Sequence, residues 1–489
     1  MIYRRNFLQM LGTGLATVAM PNLVFSQQTK SNKRPPNIIF ILADDLGWGD
    51  LGCYGHPEIN TTNLDRLAAE GTLFTQYYVA SPVCSPSRVS LMTGRCPGRM
   101  KILIPITGNQ AMDESRGTAS FLDPQVPTLT RLLKDSGYVT GHFGKWHIGI
   151  PDERGPGAYG VDEHKTDTGL LPPENRLFPD GAGPRFITEA NRLIVDAAIQ
   201  FINKHRDQPF YLNLWTPTPH IPLYPTDEQM APYTHLKPGW GIPYPGAKQV
   251  YYGSVTEMDL QFGRLLDYLD QSALTENTII IFSSDNGPEN IHLNDAGHSG
   301  VGSPGPFRGH KSSIYEGGIR VPFIVRWPGH IPAGRIEENA VLGAVDYLPT
   351  ICKLAGVVVS DDLRRDLDGE DMSEALLGTS QPRTKPLFWE NRFWYYGDSG
   401  TSIINKSPLL AIREGNWKLM MNPDGSRVEL YDLSQDLSEV DNKASENPQV
   451  VKQLTEKLMK WKQSMPEGPK TIPPDAGDIV YPWPGRRIK

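Results

Sequence analysis

The stretch Asn37-Ile38-Ile39-Phe40-Ile41-Leu42-Ala43, followed at once by Asp44-Asp45, decides the fold. An unbroken apolar run without polar alternation reads as a strand buried on both faces, which is the habit of parallel sheets. The same grammar repeats outward from it. Strands are read through Tyr138-Val139-Thr140 and at Phe210–Trp215, Thr278–Phe282 and Val321–Trp327. Helices are read at 62–70, Leu129–Ser136, Phe186–His205 and Val255–Leu269. Strands alternating with helices predict an α/β fold, a mainly parallel sheet sandwiched by helices. In such sheets ligands gather beyond the carboxyl ends of the strands. Asp44-Asp45, Gly144-Lys145-Trp146-His147, Thr218-Pro219-His220 and Asp285-Asn286 all stand at such ends.

After Gly378 the composition changes. Residues 379–386 (TSQPRTKP) resemble a linker, and short strands follow at Leu387–Glu390, Leu409–Arg413, Trp417–Met421 and Val428–Asp432. Asn422-Pro423-Asp424-Gly425 is a turn signal, and Pro448–Met465 has the spacing of an amphipathic helix. The expectation is a catalytic domain over 36–378 and a C-terminal α+β subdomain over 379–489, a smaller antiparallel sheet with a closing helix.

The beginning of the chain is addressed elsewhere than to the fold. Tyr3-Arg4-Arg5-Asn6-Phe7-Leu8 precedes a weakly apolar run, Met10–Met20, and small residues near Ser26. Residues 1–26 read as a twin-arginine signal peptide, too short for a membrane span, and 27–35 as a flexible leader. The expected partner is the twin-arginine translocase, the expected location periplasmic or secreted, with no membrane attachment after cleavage. An uncleaved anchor is the alternative. The net charge is -7, and no basic stripe suggests nucleic acid. Cys53, Cys84, Cys96 and Cys352 do not make a disulfide scaffold.

Asp44, Asp45, Asp285 and Asn286 come from two strand ends. Carboxylates brought together there repel unless a cation neutralises them, and an all-oxygen donor set suits calcium or magnesium rather than zinc. Either pair alone could equally start a turn or cap a helix.

Cys84-Ser85-Pro86-Ser87-Arg88, continuing through Leu91 to Thr93-Gly94-Arg95, resembles the first signature of the formylglycine-dependent sulfatases of the alkaline-phosphatase-like superfamily. Gly137-Tyr138-Val139-Thr140 with Gly144-Lys145-Trp146-His147 and Gly149 is similar to the second signature. The general look is of the arylsulfatase A and N-acetylgalactosamine-6-sulfatase type, from about residue 35 to the end. The resemblance implies that Cys84 is oxidised to formylglycine by the formylglycine-generating enzyme and that the aldehyde's hydrate is the nucleophile. It implies calcium held by Asp44, Asp45, Asp285 and Asn286, touching residue 84. Arg88, one helical turn after Cys84, would hydrogen-bond the hydrate. Lys145 and Lys311 would hold sulfate, His220 would protonate the leaving alcohol, and His147 would take a proton from the hydrate. Lys145 and His147, two apart on an extended segment, would face the same way. His292, His298 and His310 are substrate-contact expectations.

Two rival classes remain at this stage. One is a phosphate or phosphonate ester hydrolase of the same superfamily. The other is a non-catalytic, calcium-dependent binder of sulfated glycan. The expected substrate is a sulfated carbohydrate. Its alcohol would be read by loops such as 101–120, 155–185 and 288–310, and by aromatics such as Trp389, Phe393, Trp394, Tyr395 and Tyr396, if these are not core.

Overall fold

The computed structural model describes residues 34–149, 154–166, 185–220, 222–236, 245–289, 299–379, 381–392 and 406–468. The signal, the leader up to residue 33, His292, His298 and the aromatics from Phe393 to Tyr396 therefore lie outside the described residues.

The opening run is β1 (Asn37–Ala43), every residue of it buried. Its side chains alternate between two apolar layers. Ile38, Phe40 and Leu42 enter one, and Ile39, Ile41 and Ala43 the other. That is why the run carries no polar alternation. The remaining strands of the sheet are β2 (Thr72–Tyr78), β3 (Val139–Gly144), β4 (Glu163–Thr166), β5 (Phe210–Trp215), β6 (Thr278–Ser284), β7 (Arg320–Arg326), β8 (Arg335–Glu337) and β9 (Leu342–Gly343). The spatial order is β4-β3-β5-β1-β6-β7-β2-β8, with β9 also on β2. β1 is flanked in parallel by β5 and β6, and β3 joins β5 in parallel. β7 alone runs against its neighbours, β6 and β2. It therefore starts at the edge where β1, β3, β5 and β6 end.

Helices Arg185–His205 and Ala247–Gln271 cover one face, through residues such as Ile194, Phe201, Val255 and Phe262. The second helix begins eight residues ahead of the expected Val255, because Val250, Tyr251 and Tyr252 are buried and continue its apolar stripe. Helices Cys84–Thr93, Leu129–Asp135 and Tyr347–Leu354 cover the other face.

The second sheet is antiparallel, β10 (Leu387–Glu390), β11 (Leu410–Glu414), β12 (Trp417–Met421) and β13 (Glu429–Asp432), in that order. Helix Pro448–Gln463 closes it, with Trp461 stacked on Phe388 at 5.0 Å. Its core residues, such as Leu410, Ile412 and Leu419, join the same apolar cluster as Phe40 and Leu42. The stretch read as a linker is anchored: Arg383 pairs with the buried Asp346, and Thr384 N donates to Glu370 Oε1 at 2.9 Å. Trp389 is core, 1% exposed, and its indole N–H donates to Val79 O at 2.8 Å, so it offers no platform to a sugar. All four cysteines are free. Among the described residues no helix is long and apolar enough to cross a membrane.

Candidate active site

Because β1, β3, β5 and β6 are parallel neighbours, their carboxyl ends share one edge. The hydrogen-bond ladder runs on past them and pins the site residues. Asp285 N donates to Ala43 O, Asp44 N to Thr218 O, each at 3.1 Å, and Lys145 N to Trp215 O at 2.8 Å. Gly144 is needed here, since its φ is +112° and a Cβ would lie 2.0 Å from Trp215 O. Asp45 turns the chain with φ +67°, a left-handed conformation that Asp tolerates better than most residues.

These ends bring Asp44, Asp45 and Asp285 together with Cys84, whose ligand atoms all lie within 4.8 Å of one another. Cys84 opens the helix Cys84–Thr93, and its thiol donates to Asp44 Oδ1 at 3.5 Å. The first turn of that helix carries no acidic residue, so its partial positive charge faces the site unopposed.

Three cations hold the carboxylates. Lys145 Nζ is 2.5 Å from Asp44 Oδ2, and Lys311 Nζ is 2.6 Å from Asp45 Oδ2. Arg88 is fully buried; its Nε and Nη2 donate to Asp285 Oδ2 at 2.9 and 2.7 Å, and Nη1 donates to Lys145 O at 2.9 Å. Its guanidinium lies 5.2 Å from the Trp215 ring centroid. The expected partner of Arg88 was the group at position 84. With cysteine at that position, Arg88 braces Asp285 and the Lys145 backbone, with Cys84 among the groups acting on it.

Lys311 also reaches a residue the sequence reading passed over, Glu289, at 3.1 Å. A glutamate four residues after a catalytic-looking Asp has no periodic signature. Its only sequence signal was its nearness to Asp285-Asn286.

His220 lies at the end of β5, with Nε2 3.8 Å from Asp45 Oδ2. His147 is not on an extended segment: its φ is +57°, and Nε2 contacts Ile106 O at 2.9 Å. It enters the site from that turn rather than through the strand alternation expected for it. His310 is half-buried beside Lys311 in the chain.

The electrostatics show a cluster short of positive charge. Burial pushes Asp45 up to about 6, against the pull of Lys311 and with Asp44 and Glu289 adding to it. Burial and the neighbouring Asp44 push Asp285 up to about 6 despite Arg88. Burial would also raise Asp44, but Lys145, with help from His220, Arg88 and Lys311, holds it well below the usual carboxylate range. Burial pushes the Cys84 thiol well above its ordinary value, and Asp44 and Asp285 add to the effect. Burial, with Lys311 and Lys145, lowers His220 to about 4. His147 is lowered by burial, with Lys145 and Arg88 contributing.

Calcium fits this donor set. Asn286 is fully buried, and its Oδ1 has no hydrogen-bond partner while its Nδ2 donates to Asp45 Oδ1 at 2.7 Å. An orphaned amide oxygen beside three carboxylates is an all-oxygen cage of the kind hard cations take.

A hard-cation cage faced by two lysines and a helix N-terminus equips a hydrolase of anionic esters. Sequence comparison narrows that class, and the chain belongs to the sulfatase family, whose model matches residues 36–357. It is a sulfuric ester hydrolase. A second model, N-sulphoglucosamine sulphohydrolase, C-terminal, matches residues 308–464. The chain is 34% identical to the N-acetylgalactosamine-6-sulfatase of Canis lupus familiaris over 79% of its own length and 71% of that protein. It is 32% identical to the arylsulfatase A of Homo sapiens over 80% and 76% of the two chains. A crystal structure of Ps i-CgsB in complex with k-i-k-neocarrahexaose superposes with a TM-score of 0.71 at 29% identity, covering 88% of this chain and 93% of that one.

Proposed function

We propose that the protein removes sulfate from a carbohydrate sulfate ester, using formylglycine made from Cys84 and a calcium ion held by Asp44, Asp45, Asp285 and Asn286. The observation that carries this reading is the convergence of the buried Cys84 with three strand-end carboxylates within 4.8 Å. The relatives named for N-acetylgalactosamine-6-sulfate and the structure holding neocarrahexaose support a carbohydrate substrate.

An unmodified Cys84 suits the chemistry poorly. Burial keeps the thiol protonated, and a thiol is a weak nucleophile. Formylglycine supplies, as its hydrate, a hydroxyl for attack on sulfur and a second hydroxyl for release of the sulfate. Bound calcium supplies polarisation of sulfate oxygen.

The chain's own groups do the rest. Lys145 and Lys311, each already holding a carboxylate, offer two fixed ammonium charges to the incoming sulfate. Arg88 cannot deprotonate and serves as a permanent counter-charge to Asp285. His147 Nε2 faces a carbonyl, which puts its proton there and leaves Nδ1 as a lone pair with no partner. The ring is held neutral and can accept a proton from the hydrate. His220, lowered to about 4 by burial, Lys311 and Lys145, is neutral at rest. The negative charge of bound sulfate opposes those lysines and raises its proton affinity, after which it can protonate the leaving alcohol.

Residues 1–26 are read as a twin-arginine signal that exports folded protein. Cys84 is 2% exposed once folded, so conversion by the formylglycine-generating enzyme precedes folding and export.

The test is sulfate release from a panel of sulfated oligosaccharides, beside an aryl sulfate and an aryl phosphate. Release from at least one oligosaccharide is expected, and Cys84→Ala should lower it at least about a thousandfold. Preference for the phosphate would favour the phosphohydrolase, and full activity in Cys84→Ala would end the proposal. Tight binding of sulfated glycan without turnover would mark a binding protein instead.

A further inference from the structure

Glu289 is 1% exposed, and a carboxylate that deep is costly unless a cation meets it. The cation is Lys311, whose Nζ sits 3.1 Å from Glu289 Oε2 and 2.6 Å from Asp45 Oδ2. The main chain joins the same two segments, since Lys311 N donates to Pro288 O at 2.8 Å. Gly287 beside it packs against the backbone of Gly317, where a Cβ would lie 1.9 Å from Gly317 O. One ammonium is thus shared between two carboxylates, and only Asp45 belongs to the cage proposed for calcium.

The sharing creates a conflict that Glu289 resolves. A lysine is a point charge on a flexible stem and goes to its strongest anion. With Asp45 as its sole anchor, Lys311 would compete with the metal for that carboxylate and would lose its place when the metal won. A second anchor outside the cage removes the competition. Among the described residues it also keeps the cluster's carboxylates, Asp44, Asp45, Asp285 and Glu289, one ahead of Arg88, Lys145 and Lys311, so that the site stays attractive to a divalent cation.

We propose that Glu289 is a positioning residue for the sulfatase reaction: it holds the Lys311 ammonium in place for sulfate while leaving Asp45 to the metal. The inference rests on the sulfate-holding role of Lys311 proposed above. Glu289 itself touches no reacting atom in this account.

A double-mutant cycle tests it, using full-length, formylglycine-converted enzyme and the variants Glu289→Gln, Lys311→Met and the pair. Two quantities are read, kcat/KM on a sulfate ester and calcium affinity by calorimetry on chelator-treated protein. Glu289→Gln should lower kcat/KM about thirtyfold, the scale of leaving one partner of a buried charge pair alone. It should weaken calcium binding about tenfold by removing one negative charge from the cluster. In the Lys311→Met background the same change should alter kcat/KM by less than about twofold, because its target is gone. Glu289→Asp keeps the charge and shortens the reach. It should lower kcat/KM while leaving calcium affinity within about twofold of the parent. It also replaces Glu289→Gln as the test if that variant does not fold.

Losses that add independently in the double variant overturn the proposal alone. So does an effect of Glu289→Gln or Glu289→Asp confined to thermal stability. Full activity in Lys311→Met overturns the lysine's role and the proposal with it.

Discussion

The molecule buries two clusters of charge, and they are built differently. The seam between the sheets holds Glu316, Arg320, Lys418 and Glu439. There Lys418 on β12, fully buried, sits 2.9 Å from Glu316 Oε1 and 2.8 Å from Glu439 Oε1. Arg320 is 3.3 Å from Glu316, Tyr78 OH donates to Glu316 Oε2 at 2.5 Å, and Glu316 N donates to Glu439 Oε2 at 2.6 Å. Two carboxylates meet two cations, so the charges of the seam balance among the described residues. At the sheet edge, among the described residues, four carboxylates meet three cations, and Asn286 Oδ1 has no donor. The difference teaches where to look for function. A buried ion cluster that closes on itself joins parts of a fold, whereas one left a charge short is waiting for a ligand.

The sharpest break of the comparison is Lys418→Met. It leaves Glu439 buried without its cation and Glu316 with Arg320 alone, and should cost about 3–5 kcal/mol of stability. Denaturant unfolding would show the same loss with calcium or with chelator. A loss that calcium repaired would mean that the two clusters are not separate.

The counterpart at the open cluster is Asp45→Asn. Asparagine tolerates the left-handed backbone there and relieves a carboxylate that burial already pushes up to about 6. Calcium affinity should fall about a hundredfold, while the chelated protein at pH 8 should be as stable as the parent or more so. A marked loss of stability in chelator would show that Asp45 is structural.

The most gradual effect is a pH dependence. Asp45 and Asp285 are raised in the folded protein from 3.8 to about 6, so the folded state binds their protons more tightly than the unfolded chain does. Their contribution is therefore full below pH 3.8 and is lost as pH rises through 6, on the order of 3 kcal/mol for each group in chelator. Asp44, held below its ordinary value, acts with the opposite sign only under pH 3.8. Glu439, raised by burial to about 7, falls in the same direction as Asp45, but it pairs with Lys418 outside the proposed calcium site. The difference between calcium and chelator curves thus isolates the open cluster. Curves that stay parallel from pH 4 to 7 would contradict the account.

How much of this was legible follows from what each element buries. β1 and β5 were readable because both of their faces are covered and all but one residue of each is apolar. β10 and β12 have the bounds their short apolar runs suggested. β2 (TLFTQYY) was missed: it mixes polar and aromatic residues and carries a register shift between Phe74 and Tyr77. β8 and β9, with three and two residues, are too short for any period to show. The site was legible wherever a residue stood at a parallel strand's end, as Asp44, Lys145, His220 and Asp285 do. What escaped depends on pairings between segments. Arg88 pairs with Asp285, His147 enters from a turn, and Glu289 meets Lys311 across two loops. No spacing within one segment encodes those contacts.

The central claim is that residue 84 acts as an aldehyde. The most direct measurement is peptide mass spectrometry across Cys84 in exported, active protein, with the activity of the same sample recorded. The account predicts a peptide in which CHO replaces CH2SH, present in proportion to activity. Full activity in a sample whose peptide carries only the unmodified cysteine would contradict it.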